Sequence, residues 1–228
     1  MRPPRSEAEL MSRARGLAGR TIGQLAAGLG MQVPENTRRA KGWVGQLLEH
    51  TLGATAGSKS VPDFERIGVE MKTIPINARG GPSESTYVCT AWLKELVGLT
   101  WETSRVRKKL ARVLWVPVQA DKAVALVDRR VGSPLLWSPD AEEEELLRGD
   151  WEELTDLIRL GQVEEITARM GTVLQIRPKA ADSRATTWGV DETGHRFKTL
   201  PRGFYLRARF TAEVLRRSFV MPGDTHRS

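Results

Sequence analysis

The sequence of 228 residues predicts a mixed α/β fold. Three observations predict it: 40% of the residues are hydrophobic, several segments place apolar residues at helical spacing, and short β-like runs are separated by turn residues. This composition can bury a core, which excludes fibrous, collagenous and disordered proteins. One cysteine, Cys89, and three scattered histidines exclude an intrachain disulfide and favour oxygen ligands for any metal.

The first third of the chain predicts three helices. Residues 6–19 read as a polar helix, and Thr21 caps a short second one. A third helix begins at Asn36 and ends at Gly53. Its apolar stripe, which predicts burial on one side only, consists of Trp43, Val44, Leu47, Leu48 and Leu52.

The middle of the chain predicts strands and basic or acidic helices. Residues 68–76 and 85–93 are β-like and are separated by turn chemistry, so we expect a hairpin. A basic helix at 104–112 leads into strands at 113–118 and 123–127. A helix then starts at Ser138 and Pro139, with an acidic, solvated first turn and a buried stripe of Leu147, Trp151, Leu154 and Ile158.

The last part of the chain predicts a strand at 172–176, a polar loop at 180–195, a strand at 204–206 and a final helix capped by Thr211. No internal repeat or low-complexity linker interrupts the chain. We therefore expect one domain, 1–228.

The charge predicts a polyanionic partner. The net charge is +7, the isoelectric point is near 9.9, and 26 of the 35 basic residues are arginine. Arginine suits planar contacts to phosphate and guanine, which favours nucleic acid over a membrane surface. Residues 1–20 lack the apolar core of a signal peptide, so we expect a cytoplasmic protein. Four basic groups predict a DNA groove: Arg105, Arg107, Lys108, Lys109 and Arg112; Arg177, Lys179 and Arg184; Arg202, Arg207 and Arg209; and Arg216 and Arg217.

A candidate catalytic cluster surrounds the strand predicted at 68–76. On a strand, Glu70 and Lys72 point to one face, and a turn after Pro62 brings Asp63 beside Glu70. Asp63, Glu70 and the Met71 carbonyl are oxygen ligands that suit Mg²⁺, and Lys72 suits the activation of a water for phosphodiester hydrolysis. The alternative is a solvated Glu/Lys pair on an edge strand.

Two nearby features have weaker patterns. Glu49 lies opposite the apolar stripe of its helix, so it is either an exposed acid or an additional active-site acid. Residues 53–60 resemble a phosphate-binding loop, but the spacing is one residue short and the loop runs from helix to strand. Nucleotide hydrolysis is therefore disfavoured.

A resemblance to a known family extends over nearly the whole chain. The blocks that carry it are residues 41–45 (KGWVG), 48–49, 56–59, 63–64, 68–75 (GVEMKTIP), 100–104 (TWETS), 130–139 (RVGSPLLWSP), 175–181 (QIRPKAA) and 200–206 (LPRGFYL). In this order they resemble the MutH family of DNA mismatch repair endonucleases.

The resemblance implies a monomeric, restriction-endonuclease-like fold: a mixed sheet flanked by helices, with an active-site lobe at 14–103 and a recognition lobe at 104–221 around a DNA cleft. It also implies Mg²⁺-dependent nicking of the unmethylated strand at hemimethylated GATC, 5′ to the G. MutL, bound to mismatch-bound MutS, would activate the nicking.

The resemblance also assigns residues. It implies that Asp63, Glu70 and Lys72 are the metal-binding and catalytic positions and that Glu49 is the additional acid. It places Lys41 and Lys109 near the scissile phosphate.

The DNA-reading residues come from the same resemblance. The Arg177, Pro178 and Lys179 loop would contact bases in the major groove, and Tyr205, with Arg177, would sense adenine methylation. Tyr87 would wedge near the site.

Two other functions remain open from the sequence alone. Residues 21–39 loosely resemble a helix-turn-helix, which would suit a non-enzymatic DNA-binding regulator. A restriction enzyme that cuts both strands is the third possibility.

Overall fold

The computed structural model describes residues 1–35, 37–57, 60–93, 98–179 and 185–219, without the side chains of 37–41 and 219. The fold is mixed α/β, as the sequence predicts, and agrees with a restriction-endonuclease-like architecture. The described helices and strands are α1 (Glu7–Arg15), α2 (Ile22–Gly28), α3 (Thr37–Leu52), β1 (Glu70–Ile76), β2 (Thr86–Ala91), α4 (Arg105–Leu110), β3 (Val113–Gln119), β4 (Leu135–Trp137), α5 (Ala141–Arg159), β5 (Leu174–Pro178), β6 (Thr187–Val190), β7 (Arg196–Thr199), β8 (Arg202–Leu206) and α6 (Ala208–Phe219).

The chain forms two compact units that alternate along the sequence. Unit 1 contains Met1–Glu84, Arg112–Ser138 and the chain from Ala212 onward, and unit 2 contains Ser85–Ala111 and Pro139–Thr211. The lobe boundary between residues 103 and 104 stays a prediction about how DNA is held. No described helix is long and apolar enough to span a bilayer.

Unit 1 contains a mixed three-stranded sheet in the order β1-β3-β4. β1 pairs with β3 in parallel, with Glu70 opposite Val113, and β4 pairs with β3 antiparallel. The predicted hairpin between residues 68–76 and 85–93 is therefore wrong, because β1 and β2 belong to different sheets. The predicted turn after β1 does form, because Asn77 Oδ1 accepts hydrogen bonds from the N–H groups of Arg79 and Gly81. This turn does not bring β2 to pair with β1.

Helices pack on this sheet, and α3 enters the core through the apolar stripe that the sequence predicts. In α3, Leu47, Leu48 and Leu52 are fully buried together with Leu10 and Ile22 from α1 and α2. Burial of one such side chain contributes roughly 1.5–3 kcal/mol. The packing therefore fixes the strand that carries the candidate catalytic residues.

Unit 2 contains an antiparallel sheet in the order β2-β8-β5 and a separate β6-β7 hairpin. The hairpin corrects the prediction of a polar loop at 180–195. Its turn is closed by Asp191, whose N–H bonds the His195 carbonyl at 2.9 Å, and by Gly194 with φ of 85°. Residues 180–184 of the predicted loop lie outside the described residues.

Helix α5 shows the predicted stripe, with Leu147, Trp151, Leu154 and Ile158 all buried. Its cap is Asp140 in a capping box with Glu143, not Ser138 or Pro139. The acidic first turn is only partly solvated, because Glu143 is buried.

Two other element predictions are wrong. Residues 123–127 are not a strand, because Asp121 accepts a bond from the Ala123 N–H and turns the chain into a 3₁₀ turn at Leu126–Asp128. Thr211 is not a cap. It lies inside α6, which starts directly after β8, and its N–H bonds the Arg207 carbonyl.

Candidate active site and nucleic-acid interface

The N-terminal end of β1 brings Asp63 and Glu70 together in unit 1. The Met71 N–H donates to Asp63 Oδ2 at 2.8 Å, so the Asp63 carboxylate lies against the backbone next to Glu70. Both acids are buried, with exposed fractions of 8% for Asp63 and 3% for Glu70. The Asp63 carboxylate therefore lies one residue from Glu70 along β1, and the convergence of the two carboxylates on one ion stays a prediction.

A tight loop produces this arrangement. Phe64 and Val69 exchange backbone bonds at 2.9 and 3.4 Å, which closes the chain between Asp63 and Glu70. Gly68 completes the turn with φ of 66°, a conformation that a side chain makes costly. The loop thus returns the chain to β1 directly beside Asp63.

Glu70 and Lys72 form an ion pair on one face of β1. Lys72 Nζ lies 2.7 Å from Glu70 Oε1, and the exposed fractions of the two side chains are 13% and 4%. The solvated-pair alternative is therefore wrong, although β1 is an edge strand of the described sheet. A half-buried lysine paired with a buried carboxylate is suited to hold charge that develops on a phosphate or an attacking water.

The donor set suits a hard divalent cation. Asp63 and Glu70 offer buried carboxylate oxygens, and Met71, next to Glu70 on β1, donates its N–H to Asp63. Among the side chains that the structure describes, no three His, Cys, Asp or Glu residues converge on one point. Mg²⁺ binds proteins through one or two carboxylates and keeps several waters, so two acids fit it.

Glu49 and Lys41 both belong to α3. Glu49 is half-buried, which is intermediate between the exposed and the active-site interpretation, and the three-acid grouping with Asp63 and Glu70 is not formed. The side chain of Lys41 lies outside the described residues.

The glycine-rich loop after α3 contacts the candidate site through its backbone. The N–H groups of Thr55 and Ala56 donate to the Asp63 carbonyl at 2.9 and 3.3 Å. These two bonds therefore hold the backbone of Asp63 in place. The sequence of the loop did not indicate this role. Residues 58 and 59 lie outside the described residues.

A second cluster lies on one face of the unit 2 sheet. The strand register places Tyr87 opposite Tyr205 and Tyr205 opposite Gln175. The two tyrosines are the only ones in the sequence, and their rings meet edge to face at 5.3 Å. The Tyr87 hydroxyl bonds the Thr90 hydroxyl at 2.9 Å across a bulge in β2.

Two cations cover these rings. Lys179 Nζ lies 3.5 Å from the centre of the Tyr87 ring, and the Arg177 guanidinium lies 5.9 Å from that of Tyr205. Both cations are exposed. The structure thus joins four of the predicted DNA-reading residues, which we call the reading cluster: Tyr87, Arg177, Lys179 and Tyr205.

Gly203 leaves the space that the two tyrosine rings of the reading cluster occupy, a role that no sequence motif indicated. A Cβ at this position would lie 2.9 Å from the Tyr87 ring and 3.3 Å from the Tyr205 ring. The signal that could have identified it is a glycine directly before the strand predicted at 204–206, since a glycine in a strand often marks a close approach. Arg177 and Pro178 lie at the end of β5, not in a loop, and Lys179 follows with its N–H bonded to the Pro201 carbonyl at 2.7 Å.

Comparisons with known proteins decide the family. A family model described as the DNA mismatch repair enzyme MutH matches residues 52–150. The DNA mismatch repair protein MutH of Yersinia enterocolitica (serotype O:8 / biotype 1B) is 58% identical over 219 residues, 96% of each chain. MutH proteins of Yersinia pestis (strain Pestoides F) and Yersinia pseudotuberculosis (serotype O:1b) match to the same extent. The chain belongs to the MutH family.

The MutH resemblance inferred from the motif blocks is thus confirmed. The helix-turn-helix interpretation of residues 21–39 loses support, because residues 29–36 separate α2 from α3, more than the turn of about three or four residues in that motif.

In this MutH chain the first basic group, on and just after α4, is partly engaged within the protein. Arg112 follows the helix and pairs with Glu7 at 2.5 Å, and Arg105 stacks on Trp92 at 3.9 Å. Arg107 pairs with Glu144 at 2.7 Å. Lys108 is exposed and Lys109 is half-buried, so only part of this basic group faces solvent.

The two C-terminal basic groups are also engaged within the protein. Arg202 is buried beside Glu164, and Arg207 and Arg209 donate to backbone carbonyls. Arg216 and Arg217 pair with Glu213, and hydrogen bonds from Arg216 first and Arg217 second lower the pKa of Glu213 to about 2. These arginines thus have partners within the protein, and the expectation that all four groups line one DNA groove stays a prediction.

Proposed function

We propose that this chain is an Mg²⁺-dependent DNA endonuclease that nicks the unmethylated strand at hemimethylated GATC, 5′ to the G. The single observation that carries the proposal is the cluster of Asp63, Glu70 and Lys72 at the start of β1. Membership of the MutH family supports the mismatch repair setting. The proposal makes Glu49 an accessory acid beside this cluster.

The residues of the cluster have distinct tasks. Asp63 and Glu70, with the Met71 carbonyl, would hold Mg²⁺. When bound, this ion supplies Lewis acidity and stabilises negative charge on the phosphate. Lys72 would orient the attacking water and stabilise the charge that develops on the phosphate, since its ammonium is held beside Glu70.

The reading cluster would recognise the site. Arg177 and Lys179 are exposed donors of the kind that bind guanine O6 and N7 in the major groove. Tyr205, under Arg177, would sense a methyl group on adenine N6, because that group changes the shape and donor count of the base edge. Pro178 would stiffen the backbone between the two cations, and Tyr87 would wedge near the bases.

Two lysines complete the proposed phosphate contacts. Lys41 and Lys109 would lie near the scissile phosphate and add positive charge there. The protein would act as a monomer in the cytoplasm, and MutL, bound to mismatch-bound MutS, would activate it.

A plasmid assay tests the proposal directly. Supercoiled plasmid with one GATC site would be prepared unmethylated, hemimethylated and fully methylated, and incubated with Mg²⁺ or EDTA, with and without MutL. We expect Mg²⁺-dependent conversion of the first two to open circle, faster with MutL, and none of the third. Linear product from the hemimethylated plasmid would favour a restriction enzyme, and no cleavage under any condition would favour a non-enzymatic DNA-binding protein.

A further inference from the structure

A buried acid in α5 holds the segment that leads into β5. Asp150 accepts hydrogen bonds from three consecutive backbone N–H groups, those of Thr172, Val173 and Leu174, at 2.7, 2.6 and 2.7 Å. Hydrogen bonds to an ionised carboxylate are among the stronger ones in proteins. Asp150 therefore fixes the backbone N–H groups of this segment.

An arginine binds backbone carbonyl groups of the same segment. Arg207, directly after β8, donates to the carbonyls of Ala168, Met170 and Gly171 at 3.0, 2.8 and 2.9 Å. Its backbone N–H also donates to the Val173 carbonyl at 2.8 Å. We call Asp150 and Arg207 the β5 clamp.

The backbone inside the clamp has little freedom of its own. Gly171 has φ of 78°, and a Cβ there would lie 1.9 Å from the Leu174 carbonyl oxygen. Arg209 adds a bond to the Thr172 carbonyl at 2.7 Å. The start of β5 is thus set by groups from α5 and from the end of β8.

The strand that the clamp holds carries the cations of the reading cluster. Among the described strands, β5 lies at an edge of its sheet and pairs only with β8. Arg177, opposite Gly203, lies three residues after Leu174, which is about 10 Å along a strand. Buried Leu174 and Ile176 fix which face Arg177 occupies, and the clamp fixes its position along the strand.

We propose that Asp150 and Arg207 are positioning residues for GATC specificity: they set the start of β5 and so the position of Arg177 and Lys179. This inference rests on the proposed function, because it takes the reading cluster as the base-contacting surface. It also changes the role of Arg207. The sequence groups it with phosphate-binding arginines, but its guanidinium is bonded to the protein backbone.

Two variants test whether the clamp residues act by positioning β5 or through their charge alone. Arg207→Lys keeps the positive charge but loses the planar fork that reaches three carbonyls, and Asp150→Asn keeps the side-chain shape but loses the negative charge. Ile158→Val, a buried substitution two turns further along α5, is the control for general destabilisation.

The measurement is the ratio of dissociation constants for a GATC duplex and a scrambled duplex. It would be made with Ca²⁺ in place of Mg²⁺, over a series of salt concentrations. Hydrogen exchange of the Leu174–Arg177 amides would be followed in the same samples. We expect the specificity ratio to fall about tenfold in both clamp variants, the size of a lost base contact, and to be unchanged in Ile158→Val. The β5 amides should exchange faster.

Three results would overturn the inference. An unchanged ratio, with faster exchange or lower stability, would make the clamp purely structural. A salt slope on scrambled DNA that falls by about one unit in Arg207→Gln, which removes the charge, would make Arg207 a phosphate contact. A wild-type chain without GATC preference would contradict the proposed function and this inference together, whereas a preference that survives in both variants contradicts the inference alone.

Discussion

At the residue scale, Asp63 has two roles that one substitution separates. Its carboxylate accepts the Met71 N–H bond, and its charge is one of two that would hold Mg²⁺. In Asp63→Asn the amide oxygen can still accept the bond, so the loop should remain folded while cation affinity falls.

We expect the Mg²⁺ concentration for half-maximal nicking to rise roughly 10-fold or more in Asp63→Asn. Even a carboxylate that only hydrogen-bonds a metal ligand contributes that much to metal affinity. Magnesium titration of nicking is the measurement, and Thr73→Ala on the opposite face of β1 is the control. An unchanged magnesium requirement would remove Asp63 from the donor set.

Glu7 provides a pH-dependent test of the fold around β1. The hydrogen bond from Arg112 lowers the pKa of Glu7 below its ordinary value of 4.5, and the Arg112 carbonyl accepts the Glu70 N–H at 2.9 Å. The stability from this ion pair is present above pH 4.5 and is lost as the pH falls through the lowered pKa.

In Glu7→Gln we therefore expect the free energy of unfolding at pH 6 to fall by about 0.5 kcal/mol, since the pair is partly exposed. The difference from wild type should shrink below pH 4.5. Urea unfolding at several pH values measures it, with exposed Glu153→Gln as the control. A difference that does not change with pH would contradict the role of the ion pair.

At the element scale, Gly203 on β8 sets the spacing of the reading cluster. A Cβ would crowd both tyrosine rings, so Gly203→Ala should destabilise unit 2 by about 1–3 kcal/mol and displace the rings. We expect weaker binding of GATC duplex with little change in Mg²⁺-dependent nicking at saturating DNA. Equal GATC binding by the variant and wild type would show that the ring spacing is unimportant for recognition.

Element predictions from the sequence succeed where the signal is local. The strand at 113–118 and the stripe of α5 follow from periodicity and are confirmed. The pairing of β1 is not local, because its partner β3 lies beyond β2 and α4 in the chain, so nearby turn residues suggested a hairpin instead. The β6-β7 hairpin had a local signal, the Asp191–Gly194 turn, which the polar composition of the segment obscured.

At the scale of the whole molecule, net charge predicts a polyanion partner but not which cations meet it. Arg112, Arg207 and Arg216 belong to basic groups in the sequence, yet each is bonded within its own part of the chain. Arg112 bonds Glu7 and Arg207 bonds the Gly171 carbonyl, and both partners are distant in the sequence. The candidate catalytic triplet could be proposed from the sequence because its members lie within ten residues of one another.

The central claim is that the Glu70–Lys72 pair beside Asp63 performs hydrolysis rather than supporting the fold. Its most direct test is Mg²⁺-dependent nicking of hemimethylated GATC plasmid by Lys72→Ala, with duplex binding measured on the same preparation. We predict that nicking falls at least about 100-fold, the usual contribution of a group that assists proton transfer, while binding changes little. Nicking within about threefold of wild type by a folded, DNA-binding variant would contradict the account.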